Sequence, residues 1–287
     1  MSLRGVHSVL VTPFASDESL DERSLRRLVD FYASRGVDGV VVLGVLGEAD
    51  RLSDEERERV VAIAVDHAAG RLSVTVGITH NATRIAAERA RAAERAGAAA
   101  VMASPPQRSA PSREHFMAIL EGVALPLVVQ DYPENSGVRL GVDFLASLGD
   151  VVVKLEDPPS PCKIAALRAA APALSILGGL GGIALLEELE AGADGTMTGF
   201  AFPEMLVEIV HAHLGADASR ARRAFEHALP LIAFEAQPGV GVALRKEVLR
   251  RRGAIADATV RAPARQLDAT TLAGLDRLLA SVEATVC

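Results

Sequence analysis

The stretch Arg35-Gly-Val-Asp-Gly-Val40 joins the end of an apolar helical pattern to the start of a β-branched run. A glycine directly after a helix is the usual left-handed cap, and valine-rich runs are typical of buried strands. The same joint recurs at residues 96–101 (Ala-Gly-Ala-Ala-Ala-Val) and 191–196 (Ala-Gly-Ala-Asp-Gly-Thr). A joint that returns in this way indicates an array of repeated strand–helix units.

On both sides of these joints, strand and helix patterns alternate along the sequence through eight units. Strand ends fall near residues 13, 44, 77, 103, 131, 154, 178 and 199, with 21 to 33 residues between successive ends. None of the strands has the alternating pattern of an antiparallel edge. The pattern therefore predicts an α/β fold, a closed (β/α)8 TIM barrel rather than an open doubly wound sheet.

Three further helical stretches follow the eighth unit, near residues 217–235, 240–252 and 270–284. They exceed what a barrel requires, and no linker composition separates them from it. We predict one domain over residues 1–287, with the barrel in residues 1–215 and a C-terminal helical appendix in residues 216–287.

Composition limits the partners of this chain. Its 287 residues are 49% hydrophobic and 23% charged, with a formal net charge of −7, and they contain no basic block. An acidic chain of this kind predicts no nucleic-acid partner and no membrane partner. Cys162 and Cys287 cannot form a disulfide framework, and no segment resembles a signal peptide, so we predict a cytoplasmic protein.

Lys154 follows three valines, where a strand buried on both faces meets the loop that leads to a helix. Burial in apolar surroundings disfavours the charged form of a lysine, and the neutral amine is then a nucleophile that can attack a ketone. The alternative is a lysine that reaches solvent from a strand end. Because barrel enzymes react at the carboxyl ends of their strands, we predict that Lys154 is catalytic.

Tyr132 follows the preceding strand and is the one of the two tyrosines placed at a strand end. Neighbouring strands lie about 4.8 Å apart, so both side chains can reach one pocket. A phenol there can transfer protons while the amine forms an imine. The alternative is a strand-end tyrosine that hydrogen-bonds to the backbone.

Glycines cluster after two strands, in the segment Gly44-Val-Leu-Gly-Glu48 and in residues 178–182 (Gly-Gly-Leu-Gly-Gly). Tight turns need one or two glycines, whereas backbone amides free of side chains can also approach an anion closely. We predict that these loops bind a carboxylate or phosphate, and we expect a structural role for Glu48.

Together these features resemble the dihydrodipicolinate synthase/N-acetylneuraminate lyase family. They include the strand-end Gly-x-x-Gly-Glu, the tyrosine turn after strand five, the strand-six lysine, the Val-Thr-Pro-Phe start at residues 11–14 and the C-terminal helical trio. The resemblance implies a metal-independent class I lyase, without a cofactor, that binds a small-molecule 2-oxo acid such as pyruvate as an imine. It implies a homo-oligomer, a dimer or tetramer.

By that resemblance Lys154 is the Schiff-base residue and Tyr132 is the proton-transfer residue. Substrate binding is expected from loop residues and nearby side chains: Gly44, Val45, Leu46, Gly47, Gly178, Gly179, Thr198 and Arg139.

The sequence departs from the family pattern at positions that hold the second substrate. Many members have two threonines where this chain has Val45 and Leu46, residues 104–108 contain no tyrosine, and Arg139 is out of register with the synthase arginine. We therefore predict a 2-keto-3-deoxy sugar acid as substrate, cleaved or dehydrated. The alternative is condensation of pyruvate with aspartate semialdehyde, the reaction of 4-hydroxy-tetrahydrodipicolinate synthase.

Two rival classes stay open. A metal-dependent barrel enzyme needs ligands that converge at strand ends, and among the seven histidines only His80 follows a strand end. A barrel without catalysis that only binds a 2-oxo acid is compatible with the absent threonines. Borohydride trapping separates both from an imine-forming enzyme.

Overall fold

The computed structural model of the protein describes residues 3–286, so Cys287 lies outside the described residues. Eight parallel strands pair in chain order, and the eighth pairs with the first, which closes the barrel. The strands are β1 (Gly5–Val9), β2 (Gly39–Val42), β3 (Ser73–Gly77), β4 (Ala100–Ala103), β5 (Leu127–Asp131), β6 (Val152–Leu155), β7 (Ser175–Gly178) and β8 (Gly195–Thr198). The predicted barrel is confirmed.

Helices connect the strands on the outside of the barrel. They are α1 (Glu22–Ala33), α2 (Asp54–Ala68), α3 (Thr83–Arg95), α4 (Arg113–Leu120), α5 (Pro133–Ser136), α6 (Val142–Ser147), α7 (Ser160–Ala170), α8 (Leu185–Glu190) and α9 (Pro203–Leu214). Gly36, Gly97 and Gly192 have φ angles of 75°, 89° and 104°, so the repeated joints do turn through left-handed glycines.

The first strand ends earlier than the sequence indicated. We expected its end near residue 13, but β1 covers Gly5–Val9 and its pairing with β2 ends at Val9 opposite Val41. The Leu10 N–H still donates to the Val41 carbonyl at 2.9 Å, and beyond it the Thr12 hydroxyl donates to the Gly47 carbonyl at 2.6 Å. Burial at residues 11 and 12 therefore reflects packing against the loop after β2 rather than strand pairing.

The barrel interior is closed by one apolar layer, which we call the barrel floor. Its side chains come from seven of the eight strands: Val9, Val41, Met102, Val128, Val152, Leu177 and Met197. Alternate residues such as Val129 and Val153 pack instead in the larger core beneath the helices. On each strand, the next inward-facing side chain lies two residues after the floor residue. It therefore stands above the barrel floor, at the carboxyl end of the strand.

The predicted C-terminal helices are α10 (Ala218–Glu235), α11 (Gly241–Arg251) and α12 (Ala269–Val286). Helix α10 packs against α9, and α11 and α12 both contact α10. The division of a single domain at residue 215 stays a prediction. Within residues 3–286, no helix combines the length and apolar character that crossing a membrane requires.

Candidate active site

Lys154 stands directly above the barrel floor. It lies two residues after Val152 on the inward face of β6, and it pairs in register with Gln130 of β5. Only 4% of the residue is exposed. Its side chain lines a cavity of about 710 Å³ at the carboxyl ends of the strands, where a barrel of this type carries its reacting groups.

The surroundings of Lys154 are not purely apolar, which corrects the sequence-based expectation. Glu156, two residues further on the same face of the chain, is buried, and its Oε2 lies 3.0 Å from Lys154 Nζ. The same Oε2 accepts a hydrogen bond from Gln130 Nε2 at 2.6 Å, and Oε1 accepts one from the Leu180 backbone N–H at 3.1 Å. Two hydrogen-bond donors thus hold the Glu156 carboxylate beside the amine of Lys154.

A chain of hydrogen bonds sets the orientation of that arrangement. The Ser104 hydroxyl donates to Gln130 Oε1 at 3.0 Å, so the Gln130 amide nitrogen points toward Glu156. The Ser104 backbone N–H in turn donates to Thr79 Oγ1 at 3.0 Å. The chain runs from the end of β3 through β4 and β5 to Glu156 and the lysine.

Tyr132 lines the same cavity, immediately after β5 and two residues after Gln130. Burial raises the pKa of its phenol, and the charges of Glu156 and Glu134 raise it further, while Arg245 opposes them. The phenol therefore keeps its proton at neutral pH and can donate it. If it is deprotonated during a reaction cycle, the phenolate is a strong base.

The predicted carboxylate-binding loop forms a single 3-10 turn at Val45–Gly47. Leu46 packs on the barrel floor and lines the cavity, and Val45 lines it with 47% of its surface exposed. Gly44 borders an adjacent cavity of about 370 Å³, and Gly47 accepts the hydrogen bond from Thr12. Two of these four residues therefore reach the main cavity with their side chains.

Gly178 and Gly179 stand where any side chain would collide with a buried carboxylate, and anion binding by their loop stays a prediction. A Cβ atom at Gly178 would lie 1.9 Å from Glu188 Oε2, and one at Gly179 would lie 2.4 Å from Glu156 Cγ. The two glycines make room for two buried carboxylates of the protein itself. The Leu180 amide that follows them already donates to Glu156.

Glu188 is the second of these carboxylates, fully buried on α8. Its Oε1 accepts a hydrogen bond from the Ser160 hydroxyl at 2.6 Å. Burial raises the pKa of Glu188 to about 7, and the nearby charge of Glu156 adds to that rise. Glu188 therefore supports the glycine loop from the helix side, while Glu156 occupies the cavity side.

Thr198 is buried at the end of β8 and lines the main cavity. Arg139 does not line it: its exposed guanidinium forms an ion pair with Asp157 Oδ1 at 2.6 Å. Asp157 Oδ2 also pairs with Lys163 Nζ at 2.8 Å, and Lys163 forms a second ion pair with Asp131. Arg139 thus belongs to a group that ties the tyrosine turn to the loop after Lys154.

The cavity is lined by polar residues that sequence reasoning missed, notably Gln130, Glu156 and Arg245. The signal for the first two was alternation, because Gln130 precedes Tyr132 by two residues and Glu156 follows Lys154 by two. No local pattern pointed to Arg245, which reaches the barrel mouth from α11. In the described part of the chain, no group of three or more His, Cys, Asp or Glu side chains could hold a metal ion.

The chain matches the dihydrodipicolinate synthetase family over residues 2–282. It is 34% identical over 286 residues to L-2-keto-3-deoxyarabonate dehydratase of Azospirillum brasilense, covering 95% of this chain and 92% of that protein. It is 34% identical over 293 residues to 4-hydroxy-tetrahydrodipicolinate synthase of Thermomicrobium roseum, covering 98% of this chain and 94% of that protein.

A solved structure agrees with these relatives. The crystal structure of dihydrodipicolinate synthase from Rhodopseudomonas palustris superposes on this chain with a TM-score of 0.91 at 36% identity, covering 97% of each chain. The resemblance expected from the strand-end motifs is thus confirmed across nearly the whole sequence. This chain belongs to the dihydrodipicolinate synthetase family of lyases.

Proposed function

We propose that this chain is a class I lyase that binds a 2-oxo acid as an imine on Lys154 and acts on a 2-keto-3-deoxy sugar acid. The observation that carries the proposal is the buried amine of Lys154 with the Glu156 carboxylate 3.0 Å away, at the mouth of the barrel. An amine that must lose a proton before it attacks a carbonyl requires such an acceptor beside it.

Glu156 first takes a proton from the Lys154 ammonium. The neutral amine then attacks the C2 carbonyl carbon, which makes a C–N bond and places negative charge on the C2 oxygen. The Tyr132 phenol gives a proton to that oxygen, and the resulting phenolate takes a proton from the nitrogen. Glu156 then returns its proton to the hydroxyl on C2, which leaves as water and produces the protonated imine. Each proton transfer uses a group that lines the cavity.

The imine acidifies the hydrogens on C3, and the Glu156 carboxylate, restored when water leaves, can remove one of them. In a dehydration, the resulting enamine expels the C4 hydroxyl, which leaves as water with a proton from Tyr132. In a cleavage, Glu156 takes the proton of the C4 hydroxyl instead, the C3–C4 bond breaks to release an aldehyde, and the enamine left on C3 takes a proton from Tyr132. Val45 and Leu46 line the same cavity with apolar surface. Such a surface excludes competing water from the intermediate.

The similarity to a sugar-acid dehydratase and the absence of a tyrosine in residues 104–108 both favour the sugar-acid substrate. Similarity to proteins named as synthases, at comparable identity, keeps the condensation with aspartate semialdehyde as the second candidate. Against it, Arg139 is engaged by Asp157 instead of facing the cavity.

The proposed imine predicts that borohydride traps the 2-oxo acid covalently on Lys154. Incubation with pyruvate and borohydride should label Lys154, because reduction converts the imine into a stable secondary amine that mass spectrometry of peptides locates. Lys154→Arg should abolish labelling, since a guanidinium stays protonated. Lys163→Arg, which keeps a cation beside Asp131 and Asp157, is the matched control and should label normally. Labelling at any other lysine contradicts the assignment.

Proton transfer predicts the effect of two conservative substitutions. Tyr132→Phe and Glu156→Gln should each lower turnover by about 10²-fold or more, the range for a general acid–base residue. The matched control is Tyr32→Phe, because Tyr32 is a buried phenol that donates to the Phe200 carbonyl and lies outside the cavity. Full activity in Tyr132→Phe would show that water or another group carries the proton.

The proposed substrate class predicts that the protein turns over 2-keto-3-deoxy sugar acids. A panel of such acids, phosphorylated and not, should yield pyruvate in a coupled dehydrogenase assay if the C3–C4 bond is cleaved. A dehydrated semialdehyde in the product spectrum should appear instead if the C4 hydroxyl is expelled. Condensation of pyruvate with aspartate semialdehyde, without turnover of any sugar acid, would replace this proposal with the synthase reaction.

We further propose a homo-oligomer, a dimer or tetramer, which rests on the family resemblance; the cytoplasmic location likewise stays a prediction. Light scattering at micromolar protein should give a mass at least twice the 30.1 kDa of one chain. A mass equal to one chain would refute this part.

A further inference from the structure

Lys246 on α11 is a fully buried lysine that does not line the active-site cavity. Its Nζ lies 2.6 Å from Glu48 Oε1 and donates to the Thr259 carbonyl at 2.7 Å. The ammonium also stands 4.2 Å from the centre of the Phe14 ring. A lysine is seldom buried completely unless its charge is paired, so these contacts define a specific position.

Glu48 is the other half of this pair, and it ends the turn that faces the substrate cavity. It is 2% exposed and has left-handed backbone angles, with φ 50° and ψ 38°. Its Oε2 accepts from the Arg51 guanidinium at 2.8 Å and from the Arg261 backbone N–H at 3.0 Å. One carboxylate thus joins the loop after β2 to α11 and to the segment before α12.

The position of Leu46 depends on how this loop is held. Leu46 packs on the barrel floor beside the cavity, and a Cβ atom at Gly199 would lie 2.2 Å from its Cδ1. The turn has few hydrogen bonds of its own: the Gly47 N–H donates to Gly44 and the Glu48 N–H donates to Val45. A side-chain anchor at its end therefore contributes strongly to its placement.

We infer that Lys246 is a positioning residue: through its ion pair with Glu48 it fixes the Val45–Gly47 turn over the barrel floor, and so it controls how tightly the 2-oxo acid binds. The effect on 2-oxo acid binding rests on the proposed function, whereas the anchoring of the turn by Lys246 does not. The C-terminal helix α11 is then part of the binding machinery.

The experiment compares wild type with Lys246→Met, which removes the charge and keeps most of the length of the side chain. Glu48 then retains Arg51 on Oε2 but loses the buried cation on Oε1, so movement of the loop toward solvent becomes favourable. We expect the pyruvate concentration for half-maximal borohydride trapping to rise about tenfold, with the maximal rate of trapping changed by less than about threefold, a size typical of coupling between contacting residues.

Two further variants separate positioning from general loss of structure. Glu48→Gln combined with Lys246→Met leaves no unpaired buried charge, so half-saturation should return to within about threefold of wild type. Arg250→Met removes a cation from the same helix whose ion pair, within residues 3–286, is with Glu247 rather than Glu48, and it should leave half-saturation unchanged. If Lys246→Met does not fold, Glu48→Gln alone is measured in its place, with the same expected rise.

Hydrogen–deuterium exchange over residues 44–51 tests the anchor without any chemistry. Exchange should be faster in Lys246→Met and should slow again in the double variant. Unchanged exchange overturns the inference, and so does faster exchange with unchanged half-saturation. If wild type itself is not trapped, the imine proposal fails. The exchange measurement alone then tests whether Lys246 anchors the turn.

Discussion

The ion pair between Lys154 and Glu156 constrains the whole barrel mouth. Both side chains project from the inward face of β6 and both are almost fully removed from solvent, with 5% and 8% of their side-chain surface exposed. Leaving either charge buried alone costs about 3–5 kcal/mol, so each requires the other. The remaining lone pairs of Glu156 must also be satisfied, which explains why the Gln130 amide and the Leu180 N–H converge on it.

This requirement extends to neighbouring strands. Ser104 occupies the oxygen end of the Gln130 amide, so the amide nitrogen faces Glu156. The position directly after β7 must be a glycine, Gly179, because Glu156 fills the space of a side chain there. A buried amine on β6 therefore determines residues at the ends of β4, β5 and β7. These groups are held from several sides, an arrangement that suits the proton transfers we propose.

Much of the fold and part of the candidate site could be predicted from the sequence, because the patterns that indicate them are local. Repeated glycine joints and strand spacing gave the barrel, and position at a strand end singled out Lys154 and Tyr132. The partner of the lysine was missed because a glutamate after a strand resembles a solvated loop residue until the inward face is counted in steps of two. Anion binding by residues 178–182 stays a prediction, but two of these glycines have a further reason that the sequence did not indicate, since they make room for Glu156 and Glu188. That contact joins residues on different strands and helices, so no local pattern could indicate it.

The C-terminal helices show most clearly what local sequence patterns miss. The sequence indicated only that these helices exceed what a barrel requires. Arg245 donates to the carbonyls of Gly199, Glu235 and Gly241, and so joins the loop after β8 to α10 and α11. The next residue, Lys246, pairs with Glu48 after β2. Adjacent side chains of one helix thus hold loops from β2 and β8, whose strands flank β1 in the closed barrel. Because loops at a barrel mouth have little secondary structure of their own, buried charges on a helix outside the eightfold repeat can fix them where strand pairing cannot.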